Sequence, residues 1–167
     1  MITRRQLALR AALAATFAAA PLWAGAQALI TERNLSLNAA LEMATASLER
    51  CRADGYKVTI TVLNRHARTS VVLSDDGVNP HTVENSMRKA YTAFTTRMPT
   101  LEMGKRAQPN LGGFMLLDMI TPIEGGLPVF AGKDLVGAIG ISGAPGGEKD
   151  SACAQTGIDK IAKGLGG

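Results

Sequence analysis

Few side chains in this 167-residue sequence are suited to chemistry, and their spacing limits what they can do. There are two histidines, His66 and His81, and two cysteines, Cys51 and Cys153. Imidazole is the commonest metal donor, but His66 falls in an expected hairpin turn and His81 in the first turn of an expected helix, beside the acidic Asp75-Asp76 loop. The alternative for each is a solvated surface residue. The cysteines lie far from any metal-ligand spacing, so they suggest no zinc site. They read either as a disulfide or as buried free thiols packing as small apolar groups. Arg88 and Lys89 are adjacent cations of the kind that suit carboxylates, or else a solvated helix face in which Glu84 pairs with Arg88 one turn on. Glu124 is the acid of the central loop region and has no second carboxylate for acid–base work. No Ser-His-Asp order, phosphate-cradling glycine loop or Cys-His cluster occurs. The residues therefore support neither a hydrolase nor a nucleotide enzyme.

The elements that must position these groups begin after residue 26. Residues 1–26 have the three zones of an export signal: Arg4 and Arg5, a mostly alanine and leucine stretch from Leu7 to Trp23, and the small cleavage site Ala24-Gly25-Ala26. The paired arginines followed by Leu7 fit the twin-arginine route, with an ordinary secretory signal as the alternative. Arg10 cuts the apolar run short of the roughly 20 residues a spanning helix needs, so no stable membrane anchor is expected. Cleavage would leave one domain, residues 27–167, in the periplasm or secreted. Removing Arg4, Arg5 and Arg10 lowers Lys plus Arg from 18 to 15 against 14 acids, a net charge near +1. The apparent basicity belongs to the signal, and no nucleic-acid partner is expected.

Within that domain Leu37, Leu41, Ala44, Leu48 and Cys51 recur at helical spacing, with Ser36 as cap and Asp54-Gly55 as stop, which predicts a helix over Leu37 to Ala53. Val58, Ile60 and Val62 alternate with Lys57, Thr59 and Thr61, predicting a strand with one buried face; Thr69 to Leu73 returns as its hairpin partner. Asn79 before Pro80 suits the start of a second helix with Val83, Met87, Ala90 and Phe94 inward, ended by Met98-Pro99. Thr100 caps a short helix near Leu101 to Arg106. Ala107 to Gly113 reads as loop, Phe114 to Ile120 as a strand, and Glu148 to Lys163 as a last helix with Ala154, Ile158 and Ile161 on one face.

The best-marked stretch is Gly125 to Gly143, a hairpin in which Leu127 to Phe130 and Leu135 to Ile141 flank the turn Ala131-Gly132-Lys133-Asp134. Its second strand puts Leu135, Ile139 and Ile141 on one side and Val136, Ala138, Gly140 and Ser142 on the other. That small face should admit a close helix or a flat ligand. Without βαβ alternation the sheet should be antiparallel. The expected fold is α+β, a five-stranded antiparallel sheet with flanking helices in a profilin- or PAS-like sandwich.

From about Leu35 to Ala162 the chain resembles the GlcG/HbpS family of small haem-binding proteins. Arg88-Lys89-Ala90-Tyr91-Thr92-Ala93-Phe94 with Arg97-Met98-Pro99-Thr100 is similar to the family's KA-x-TA run and later R-x-PT. Gly125-Gly126-Leu127-Pro128-Val129 is like its GGxP, and Val136 to Gly143 like its VGAIGVSG. The chain departs at Val62-Leu63-Asn64-Arg65-His66-Ala67, where the family usually has V-x-D-x-x-G, and at Asp75-Asp76-Gly77, where the family often has methionine before the aspartate and glycine. The resemblance implies haem as cofactor and a homo-oligomer serving as carrier, sensor or in oxidative stress. On that footing His81 or His66 is the metal donor, with Met98 and Tyr91 reading as core and packing. Arg88 and Lys89 would meet the propionates, and Thr100, Gly125 and Gly126 complete the expected cofactor-binding set. A different class of reading is a small-molecule enzyme or enzyme subunit with its pocket between the second helix and the Gly125 to Gly143 hairpin. A plainer one is a structural partner with no cofactor.

Overall fold

Helix α1, Leu37–Ala53, starts where Ser36 Oγ accepts the Ala39 N–H at 3.2 Å. In this computed structural model, which describes residues 28–110 and 112–166, the helix matches the expected span and part of the expected face. Ala44 and Cys51 are buried and Leu48 packs against the core as expected, but Ala40, Met43 and Ser47 also point inward, while Leu37 is 63% exposed and Leu41 faces outward. The reason lies in helix α4, Gly147–Ile161. Gly157 of α4 packs so tightly on the Met43 carbonyl and Ser47 Oγ that any side chain there would collide, and only small residues allow that approach. Cys51 and Cys153 join the two helices as a disulfide with Cα atoms 5.6 Å apart, which resolves the two readings of the thiols. The expected export signal, with Arg4, Arg5, Trp23 and the Ala24 to Ala26 cleavage site, lies outside the described residues. Ala28 to Thr31 carry no helix or strand; Glu32 onward forms the second, larger unit.

Four antiparallel strands form the sheet: β1 Thr59–Asn64, β2 Thr69–Ser74, β3 Gly126–Ala131 and β4 Asp134–Ser142, in the order β2-β1-β4-β3. The fold is α+β as expected, but among the described residues the sheet has no fifth strand. Phe114–Leu116 is a single 3-10 turn, and Phe114 and Met115 pack against Met103 and Ile120 rather than pairing in the sheet. Strand β1 also departs from expectation, because Thr59 through Leu63 are all buried. Ile60 and Val62 join the apolar core with α1 and α4, while Thr59 and Thr61 lie under helix α2, His81–Thr96.

Helix α2 keeps only part of its expected face inside: Ala90 is buried and Met87 and Phe94 are half-buried. Thr82, Ser86, Lys89, Ala90, Thr92 and Ala93 are buried, whereas Val83 is 45% exposed. Hydroxyl pairs explain the rotation: Thr82 with Thr59 and Ser86 with Thr61, both at 2.8 Å. Polar faces can meet in a core when each group finds a partner. The small face of β4 receives this helix, not a flat ligand, since a Cβ at Gly140 would strike the Ser86 carbonyl and the Ala90 amide. At the start of α2 the Asn79 carbonyl, not its side chain, accepts the Thr82 amide at 3.0 Å and hydroxyl at 2.6 Å. Helix α3, Thr100–Asn110, runs past the expected end at Arg106 into the stretch read as loop.

A bulge in β4 alters its faces. Val129 pairs with Gly137 and Phe130 with Leu135, leaving Val136 as the extra residue. Val136 therefore joins Ile139 and Ile141 in the core, and Leu135 moves to the α2 side. The last helix ends at Ile161 and continues as a 3-10 turn, Ala162–Leu165. No helix among the described residues is long and apolar enough to cross a membrane.

Candidate functional site

Two places bring chemistry-bearing residues together. The first lies where α2, β4, α4 and the Gly125-Gly126 turn meet. Lys89 donates to Asp150 Oδ2 at 2.7 Å and to the Ile141 carbonyl at 2.8 Å, and Asp150 Oδ1 accepts the Ala144 amide at 3.1 Å. The two side chains are 2% and 4% exposed. Burial pushes the Asp150 carboxyl above its ordinary value, against the opposing pull of the Lys89 ammonium and the Ala144 N–H. Gly125, at φ +124°, is required here: a Cβ would stand 2.7 Å from Lys89 Nζ and 2.8 Å from Asp150 Cβ. Gly126 lies against the Lys89 backbone, and its amide donates to Thr100 Oγ1 at 3.0 Å.

Lys89, Thr100, Gly125 and Gly126 are thus gathered as the resemblance implied, into a dry junction of ion pair and backbone. Lys89 can reach a propionate only by abandoning Asp150. Arg88 lies apart and pairs with Glu84 as its solvated alternative had it. Between α2 and the Gly125 to Gly143 hairpin direct backbone contact fills the space at Gly126 and Gly140, while toward the end of α2 Phe94 and Arg97 leave open space against Lys133, Asp134 and Leu135 of the same hairpin. Met98 and Tyr91 pack against Met103 and Ile120.

The second place is a groove of about 470 Å³ at the far end of α2. His66 lines it, with Phe94 and Leu135 as apolar wall and Arg97 and Lys133 as cations. The turn that carries His66 is held by Asn64, whose side-chain oxygen accepts the His66 amide at 2.9 Å and the Arg68 amide at 3.1 Å. Residues ahead of α1 clamp it from outside. Asn34 Oδ1 accepts the Arg65 amide at 3.0 Å, and Glu32 meets Arg65 Nε and His66 Nε2, each at 3.5 Å. Asp134 pairs with Arg33. Among the described residues neither Arg97 nor Lys133 has an ion-pair partner.

Among the described residues the non-glycine residues at positive φ are Ala67 and Arg97, both at +56°: Ala67 follows His66, and Arg97 lines the groove as the left-handed cap that ends α2. His81 is elsewhere. Its neighbour Thr82 bonds Thr59 at the start of β1, while His66 follows the end of β1, roughly 17 Å along the strand. One metal cannot take both. Phe94, Arg97, Lys133 and Glu32 were missed by sequence reasoning; the signal for Arg97 was present, since it opens the R-x-PT signature.

Residues 35–159 match the family described as "Haem degrading protein HbpS-like". The chain belongs to the GlcG/HbpS family. A double mutant of Streptomyces reticuli HbpS superposes with a TM-score of 0.77 at 34% identity, over 85% of this chain and 97% of that one. A PduOC–haem complex gives a TM-score of 0.72 at 26% identity, over 77% and 95%. Protein GlcG of Escherichia coli K12 is 26% identical over 108 residues, 65% of this chain and 81% of its own.

Proposed function

We propose that this family member is an exported haem- or tetrapyrrole-binding accessory protein and that the His66 groove is its binding site. One observation carries the assignment. The groove sets an accessible imidazole, 57% exposed, beside the Phe94 ring, the Leu135 side chain and two cations with no ion-pair partner among the described residues. That donor set fits haem: a lone pair for iron, apolar surface for the macrocycle, and Arg97 and Lys133 for the two carboxylates. The bound haem would supply the redox and ligand chemistry of its iron; the protein's part is to seat and orient it and limit water. Seating is the portion of the family's haem-degrading description that these residues support. The groove offers one apolar wall, and a second copy of the chain would cover the exposed face, which gives the homo-oligomer a role. Export by the twin-arginine route to the periplasm completes the reading.

The test is a haemin titration of the mature protein followed at the Soret band, with His66→Ala and His81→Ala beside wild type. A saturable shift that survives in His81→Ala and is lost in His66→Ala is expected. A shift lost only in His81→Ala moves the site to the other end of β1, and no shift in wild type ends the haem reading.

A further inference from the structure

Glu32 takes no part in the contacts proposed above between protein and ligand, yet its two carboxylate oxygens divide between the residues of the His66 turn. Oε1 stands 3.5 Å from Arg65 Nε, and Oε2 stands 3.5 Å from His66 Nε2. Its side chain is 30% exposed, half-sheltered by the groove it lines. Arg65 is fixed independently, donating through its guanidinium to the Leu135 carbonyl at 3.0 Å and through its amide to Asn34. The arginine therefore anchors the carboxylate, and the carboxylate faces one nitrogen of the ring. We propose that Glu32 is the positioning residue of the site: its carboxylate, 3.5 Å from His66 Nε2, takes that N–H on closing to hydrogen-bond distance, fixes the imidazole tautomer and leaves Nδ1 as the nitrogen offered to a metal. Metal-ligating histidines commonly donate their other ring N–H in this way, which orients the ring and raises its basicity.

The inference rests on the haem reading, and the experiment separates the two. Haemin affinity and the ferric/ferrous midpoint potential are measured for wild type, Glu32→Ala, Glu32→Gln, Asn34→Ala and His66→Ala. Glu32→Ala should weaken haemin binding by roughly 10- to 100-fold, the usual cost of losing such an outer partner, and raise the midpoint potential because the ring loses its anionic acceptor. Glu32→Gln keeps a carbonyl acceptor and should recover most of the affinity while leaving the potential above wild type. Asn34→Ala removes the other tie between the same segment and the turn, and should leave the potential at the wild-type value. If Asn34→Ala and Glu32→Ala move the potential alike, Glu32 merely places the turn and the proposal falls. It also falls if both Glu32 variants match wild type while His66→Ala loses ligation, an outcome that leaves the haem site intact. Unchanged binding in His66→Ala overturns both.

Discussion

The buried Lys89–Asp150 pair allows the most quantitative test of the fold. Its nitrogen and oxygen are 2.7 Å apart, and both side chains are almost wholly inside. Replacing Lys89 by methionine keeps most of the volume but leaves the Asp150 carboxylate buried with only the Ala144 amide as partner. Breaking such a pair from one side costs about 3 to 5 kcal/mol, because a lone charge remains in a poor solvent. Against a total of about 5 to 15 kcal/mol for a domain, that is a large fraction. Asp150→Asn should cost a comparable amount by stranding the ammonium. The double variant Lys89→Met with Asp150→Leu removes both charges and should recover most of the loss, since well-packed apolar replacements of buried pairs are often neutral or better.

Urea unfolding of the oxidised protein, read as midpoint and slope, measures each value. The pH dependence supplies a second readout. Burial already holds the Asp150 carboxyl above its ordinary value, and Lys89 opposes that rise. Without Lys89 the folded-state value must climb further above the unfolded one. A raised carboxyl binds its proton more tightly when folded, so stability is gained as pH falls through the folded value and lost as pH rises through it. Lys89→Met should therefore grow more stable on acidification from neutral pH toward the ordinary carboxylate range. A single variant costing under about 1 kcal/mol, or a Lys89→Met protein whose stability is flat over that range, would refute the reasoning.

Ala67→Gly should stabilise the protein by about 0.5 to 1 kcal/mol, the left-handed penalty of about 1 to 2 kcal/mol less the extra chain entropy of glycine, seen as a higher Tm. Gly140→Ala should destabilise by about 1 to 3 kcal/mol or more, because the new methyl pushes α2 off β4 at Ser86 and Ala90; an unchanged Tm would contradict the contact. Replacing Cys51 and Cys153 together by alanine should cost about 2 to 5 kcal/mol for a loop closed over 102 residues, and a thiol titration of the denatured, unreduced protein should find none. Changing Arg4 and Arg5 together to lysine should stop export if the route is twin-arginine; continued export points to the ordinary secretory route.

Elements were legible wherever local chemistry decides them. Ser36 and Asp54-Gly55 bracket α1 because caps act within one turn, and Gly125 to Gly143 reads as a hairpin because its turn demands a positive φ at Gly132. Faces were less legible, because they depend on what lies opposite. Nothing local distinguishes Thr59 and Thr61 beneath α2 from threonines facing water. The phantom fifth strand has the same cause: Phe114 to Ile120 is apolar enough for a strand, but its Phe114, Met115 and Ile120 pack with Met103, Tyr91 and Met98, and Leu116 stays 83% exposed. Of the site, Lys89, Thr100, Gly125 and Gly126 were drawn together by their family signatures, although the junction they form is dry and structural. The His66 groove was hidden because Glu32, Phe94 with Arg97, and Lys133 come from three separate parts of the chain, none of them near His66 in sequence.

The rotated face of α2 connects these results. A helix with Val83, Met87, Ala90 and Phe94 fully inward would have kept Phe94 in the core and presented its hydroxyls and lysine to water. Here Thr82 and Ser86 find hydroxyl partners on β1, and Lys89 finds Asp150, so polar residues fill the inner face at little net cost. The apolar stripe is thereby only partly buried, with Ala90 inside, and its last member, Phe94, reaches the groove beside His66. The bulge at Val136 turns Leu135 toward the same side. Lys89 and Gly140 hold the helix in this rotation from within, one by its ion pair and the other by lacking a side chain. Variants at either position should therefore disturb the His66 groove as well as stability, even though neither residue lines it. Asp150→Asn in particular should weaken haemin binding in proportion to the rotation of α2 it permits, and binding that survives intact in a destabilised Asp150→Asn protein would show the groove to be independent of the helix's inner face.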